Sequence, residues 1–244
     1  MKKLLLVATL ATSVVSLQAQ GLKGLLKKVT QDSTVSKIIS TKSATGLSND
    51  EIIAGLKEAL HVGSANSTKK LSAVDGFFKD AAIKVLMPDE AKKVEQKLRA
   101  VGMGKLVDNA ILSMNRAAED AAQSATPIFV NAIKGITIQD GLGILKGGDF
   151  AATNYLKGKT LSQLTEAFRP IIEQSLQKVN ATKYWNTVFT AYNSLSKEKV
   201  NTDLTAYVTE KAMSGIFYQV GLEEQKIRKD PLARTTDLLK KVFN

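Results

Sequence analysis

Asn115, Arg116 and Glu119 stand close to one face of a helix, Arg116 one position and Glu119 four positions after Asn115. Carboxylates supply acid–base chemistry and also bind hard cations. The same Arg116–Glu119 spacing equally makes a structural ion pair. Arg228 is a second arginine with carboxylates nearby, at Glu223 and Glu224. Adjacent helical residues face different directions, so neither Glu119–Asp120 nor Glu223–Glu224 makes a site alone. An enzyme built from these parts requires a cleft where Glu119, Glu223 or Glu224 converges with Arg116 or Arg228.

A different chemistry is offered by aromatic rings. Tyr184, Trp185, Phe189 and Tyr192 recur at spacings near three to four, and Phe217 and Tyr218 lie further on. Such a set lines a pocket for an apolar ligand or packs a core. Asn115, Arg116, Glu119, Tyr184, Trp185 and Arg228 are therefore the candidate ligand-binding residues, and none is assigned as catalytic.

Several familiar chemistries fail on residue supply. The chain has no cysteine, which removes disulfides, thiolate metal sites and cysteine nucleophiles. His61 is the only histidine, so a zinc site lacks partners. No G-x-S-x-G elbow accompanies it. Gly158-Lys159-Thr160 resembles the tail of a phosphate loop, but the glycine required five residues earlier is Thr153. Gly141 and Gly143 are followed by Gly147, one residue late for a dinucleotide fingerprint, and read as turn and helix-end glycines. No cofactor and no metal is expected.

These residues sit in a chain of 244 residues, 44% hydrophobic and 23% charged, with a formal charge of +11 and a mean hydropathy of −0.06. Aromatics are scarce at 6%, and only four prolines occur. The length suffices for a sizeable core. No run of four basic residues occurs, so the charge reads as a solvated basic surface rather than a nucleic-acid site.

The first residues read as an address. Lys2 and Lys3 precede an apolar stretch from Leu4 to Leu17, and Ala19 stands at a small-residue cleavage position. That is the layout of a signal peptide over residues 1–19. The stretch is short for a membrane span, which needs about 20 apolar residues. Export to the periplasm as a soluble protein without a cysteine-borne lipid anchor is expected. Residues 20–47 form a basic amphipathic segment and a polar linker. Leu22, Leu25, Leu26 and Val29 share a face, with Lys23, Lys27 and Lys28 elsewhere on the wheel. Residues 20–30 accordingly suit either peripheral contact with an anionic membrane or docking on the body. Asp32-Ser33-Thr34 resembles an O-glycosylation signal of Bacteroidetes envelope proteins.

Residues 48–244 read as one helical domain. Ser48 and Glu51 make a capping box, followed by an apolar face from Ile52 to Gly63. Pro88 opens a helix that Gly102 closes. Pro127 breaks or bends an Ala-rich stretch from Lys105 to Gly135. Thr137 and Asp149 read as caps, and Thr160 to Gln163 as a further capping box opening a helix that contains Pro170. Asn180 separates that helix from the one bearing Trp185. Thr202 caps the longest pattern, Asp203 to Lys229, which Asp230-Pro231 stops. Lys84 to Met87 is the only extended stretch. The fold class is all-α, an irregular multi-helix single domain of about eight to ten helices.

Asn115-Arg116-Ala117-Ala118-Glu119, Pro127-Ile128-Phe129, Asp140 to Gly147 and Phe168-Arg169-Pro170-Ile171 occur in order. Tyr207-Val208-Thr209 and Ile227 to Thr236 follow. Together they resemble the bacterial family called domain of unknown function 4197, from about Leu47 to the C-terminus. The resemblance implies export and one continuous domain, and carries no known activity or catalytic residue. Three functions remain in play. One is a non-catalytic envelope protein that binds a partner or an apolar ligand. The others are a carboxylate–arginine enzyme and a protein held to membranes by its basic N-terminal helix.

Overall fold

The computed structural model describes residues 47–195, 199 and 203–243. Contacts group residues 42–244 into one compact unit. The expected signal peptide, the amphipathic segment, Ser33, Thr34 and Thr202 lie outside the described residues. Nine α-helices and no strand occur among the described residues, an all-α fold. They are α1 (Asn49–Leu71), α2 (Lys92–Ala100), α3 (Gly104–Ala122), α4 (Ala125–Lys134), α5 (Ile138–Lys146), α6 (Ala151–Lys178), α7 (Ala181–Leu195), α8 (Leu204–Lys229) and α9 (Asp237–Phe243). Among the described residues no single helix is long and apolar enough to cross a membrane.

The long helices α6 and α8 pack on each other, and α1, α3 and α4 close around them. On α6, Leu156, Thr160, Leu164, Phe168, Ile172 and Leu176 are buried at steps of four. This stripe runs straight through Thr160, so the helix does not start there as the capping-box reading required. The Thr160 hydroxyl donates to the Leu156 carbonyl at 2.7 Å, which satisfies a buried polar group without breaking the helix. Consequently α6, with 28 residues, is longer than α8, with 26. Pro170 is tolerated inside α6 on its exposed side.

α1 also outruns its apolar stretch and ends at Leu71. The polar run after Gly63 stays helical because its hydroxyls bond back along the helix. Ser67 donates to Gly63 O at 2.7 Å and Thr68 to Ala65 O at 3.1 Å. Other boundaries follow their punctuation. Ser48–Glu51 and Thr137–Asp140 are reciprocal capping boxes. Gly102 (φ +82°) and Asn180 (φ +56°) take the left-handed conformation that ends helices. The Ala-rich stretch breaks at Gln123-Ser124, and Pro127 falls in the first turn of α4, where no intrahelical N–H is needed. Asp203 caps α8, its side chain accepting from the N–H of Ala206 at 2.8 Å.

Phe77, Phe129, Phe168, Met114 and Ile216 are among the side chains sealed in the core. A buried side chain of this size contributes about 1.5–3 kcal/mol. Phe77 belongs to the non-helical connection between α1 and α2, and its ring lies against Gly215 of α8. That connection needs anchors of its own, and the polar residues of α3 provide them.

Candidate functional site

Asn115 is fully buried on α3. Its side-chain carbonyl accepts the Val85 N–H at 2.9 Å, and its amide donates to Val85 O at 2.8 Å and Ile111 O at 2.7 Å. The amide therefore pairs with the extended stretch around Val85 much as a neighbouring strand would. One turn on, Glu119 is almost completely buried. One of its carboxylate oxygens accepts the N–H groups of Phe77 and Phe78 at 3.0 and 3.1 Å. The other takes Arg116 at 2.6 Å, and Arg116 reaches on to Asp75 at 2.7 Å. Asp75 sits at φ +71°, a conformation aspartate tolerates better than most residues. Hydrogen bonds from Lys79 and then Arg116 hold its carboxyl below the usual range. The structure thus brings Asn115, Arg116 and Glu119 together against residues 75–85, Asn115 and Glu119 on the backbone and Arg116 on the Asp75 side chain.

A second arginine–glutamate pair repeats the arrangement. The Glu224 carboxylate, buried on α8, accepts the N–H of Ala152 at 3.0 Å and of Thr153 at 2.8 Å, with the Thr153 hydroxyl at 2.7 Å. Arg228 donates to Glu224 at 2.9 Å and to Ile144 O at 2.9 Å. Glu224, not Asp149, supplies the carboxylate at the start of α6. Asp149 instead pairs with Lys229 at 2.6 Å in the open. Arg234 is buried and donates to the carbonyls of Ile227 and Arg228 at 3.2 and 3.0 Å, closing the end of α8. The two couplets do splay. Glu223 meets Asn66 at 3.3 Å, and Asp120 accepts from Ser175 at 2.6 Å.

The remaining motifs fall inside helices. His61 is exposed in the middle of α1. Gly158-Lys159-Thr160 lies within α6, with no loop for a phosphate. Gly141 is a packing glycine inside α5, where an added Cβ would lie 2.1 Å from Ile53 Cδ1. Among the described residues no three histidine, aspartate or glutamate side chains gather as metal ligands.

Open space lies elsewhere. A cavity of about 180 Å³ is bounded by α2, α3, α7 and the start of α8. Its wall is apolar, with Met87, Leu98, Val107, Met114, Trp185 and Phe189 prominent. Trp185 packs on Phe189 with ring centroids 4.3 Å apart, and stacks at 6.5 Å on Tyr207. The Tyr207 hydroxyl donates to Leu86 O at 2.8 Å. Burial, then the nearby Asp89, Glu90 and Glu210 carboxylates, push its ionisation up to about 12. Trp185 is thus a wall of this pocket, whereas Arg116 and Arg228 do not line it. Tyr184 lies on α7, and its side chain is outside the described ones. The contributions of α2 and α3 escaped the reading of the sequence, because their apolar positions look like those of any core helix.

A family model described as protein of unknown function (DUF4197) matches residues 46–244. No curated protein matches the chain. No solved structure matches it either.

Proposed function

The chain belongs to the DUF4197 family of proteins of unknown function, and we propose that it is a non-catalytic binding protein whose ligand is an apolar group held beside Trp185. The pocket wall carries this reading. A cavity of about 180 Å³ exceeds the roughly 150 Å³ apolar cavity that suffices for benzene. It reaches the surface at Leu106 and Val179, which stay 37% and 52% exposed. The test is a thermal melt with toluene and n-octanol, read beside the emission of Trp185, the only tryptophan. A rise in Tm with a saturable emission change is expected, and Ala110→Phe, which fills the pocket, should remove both. No response to either compound overturns the reading.

The carboxylate–arginine enzyme has less support. Both oxygens of Glu119 and of Glu224 already accept from backbone N–H groups or arginine. The space beside Glu224 and Arg228 is about 20 Å³, room for roughly one water. We further propose export to the periplasm, supported by the leader-like residues 1–19. N-terminal sequencing of protein from the periplasmic fraction should begin at Gln20, and an intact leader on cytosolic protein would end the idea. Membrane contact through residues 20–30 is tested by liposome co-sedimentation with and without residues 20–47, and equal binding by both forms would dismiss it.

A further inference from the structure

Among the described residues that line the Trp185 pocket, none is charged. Apart from the Trp185 indole, the side chains that can hydrogen-bond there belong to Asn109 and Ser113. Both come from α3, and their places on it are ordered. Val107, Ala110 and Met114 follow one another at steps of three and four and form one stripe, with Val107 and Met114 buried. Leu106, Asn109 and Ser113 repeat those steps one position earlier. In this second stripe Leu106 and Asn109 are exposed and Ser113 is half-buried. The α3 wall is therefore apolar on its inner stripe. On its solvent-ward stripe it carries a short strip that is polar and neutral.

The strip has a definite hydrogen-bonding character. The Ser113 hydroxyl donates to the Asn109 backbone carbonyl at 2.8 Å, so its hydrogen is used and its oxygen still accepts. The Asn109 side-chain amide makes no hydrogen bond to another described residue, which leaves it a donor and an acceptor. A carboxylate head would leave water for this strip without meeting a cation, and an ammonium would do so without meeting a carboxylate. Either loses hydration that the lining does not replace. A carboxamide carries no charge to desolvate. Its carbonyl accepts from the Asn109 amide, and its own N–H groups donate to Asn109 Oδ1 and Ser113 Oγ.

We propose that the ligand is an uncharged amphipath, an apolar ring or chain that ends in a carboxamide. The apolar part lies against Met114, Trp185 and Phe189, and the head rests on Asn109 and Ser113. This rests on the pocket being a ligand site, and it adds the charge and the hydrogen-bonding type of the head.

The experiment titrates the purified chain at neutral pH with benzamide, benzoate and toluene, following Trp185 emission and the heat of binding. Benzamide and benzoate share a shape and differ in charge, and toluene keeps the ring without the head. Benzamide should bind saturably, and benzoate at least about tenfold more weakly. Asn109→Leu should lower the ratio of benzamide to toluene affinity about fivefold, and Ser113→Ala about threefold. Neither position is buried, and both variants should melt as the parent does.

Benzoate binding as tightly as benzamide overturns the neutral head. Toluene binding without benzamide binding overturns the carboxamide and leaves the apolar pocket standing. An affinity ratio unchanged in both variants overturns the placement of the head on α3. No binding of any of the three compounds overturns both readings.

Discussion

Glu224 closes the start of α6 by accepting both the backbone N–H and the hydroxyl of Thr153, at 2.8 and 2.7 Å. A helix N-terminus leaves four N–H groups without intrahelical partners, and this one is served from 71 residues away. Glu224→Ala would strand the half-buried Arg228 guanidinium as well as those donors. A loss of about 3 kcal/mol in urea unfolding is expected. Glu224→Gln keeps one acceptor and should lose about 1.5 kcal/mol. Asp149→Ala, which breaks only the exposed Lys229 pair, should stay within about 0.5 kcal/mol of the parent. A larger effect at Asp149 than at Glu224 would reverse the assignment of the cap.

Asn115 is the corresponding anchor on α3. Asn115→Leu has similar volume but removes the acceptor for Val85 N–H and the donor for Val85 O. Both backbone groups would then be unpaired, at a cost of about 3 kcal/mol. Amide exchange at Val85 should accelerate by at least the same free energy. Arg116→Met should cost far less, about 1 kcal/mol, because the guanidinium is 36% exposed and solvent screens its pairs. Unchanged exchange at Val85 in Asn115→Leu would show that the extended stretch holds without its clamp.

The contrast between these anchors and the caps explains what was readable in advance. Ser48–Glu51 and Thr137–Asp140 bond within four residues, so spacing alone reveals them. Glu224 and Asn115 do the same work across 72 and 30 residues, and no local pattern marks the partner. Asp149 and Thr160 carried the local signature of caps, and tertiary packing overrode both. The Asn115-Arg116-Glu119 group was visible as a cluster, yet its target, residues 75–85, was not. Trp185 was marked by its aromatic spacing only as one of a set, together with Tyr184. The facing wall at Leu98, Val107 and Met114 had no distinguishing spacing.

Two glycines of the long helices should respond in opposite directions to the same change. At Gly158 nothing lies within 4 Å of an added Cβ, and the site is an exposed helix interior. Gly158→Ala should stabilise by about 0.5–1 kcal/mol. At Gly215 the new methyl would sit 2.4 Å from Phe77 Cε1, on a ring with no exposed surface. Gly215→Ala should lose about 1–3 kcal/mol despite its better helix propensity. Chemical denaturation of the two variants reads both values. Destabilisation at Gly158 would mean that this glycine serves something other than a helix.

Tyr207 links the pocket wall to the extended stretch, stacking on Trp185 and holding Leu86 O. Its ionisation is raised to about 12, by burial first and then by Asp89, Glu90 and Glu210, from an unfolded value near 10. Folding therefore favours the neutral phenol. Its contribution is whole below about pH 10 and declines as pH rises from there toward 12. Absorbance at tyrosinate wavelengths should show a late-titrating ring that disappears in Tyr207→Phe. That variant should also lose about 1 kcal/mol at neutral pH through the missing hydrogen bond, and its stability should fall less steeply above pH 10 than the parent's. If the late phase persists in Tyr207→Phe, another tyrosine carries it, and Tyr155, raised chiefly by burial, is the residue to replace next.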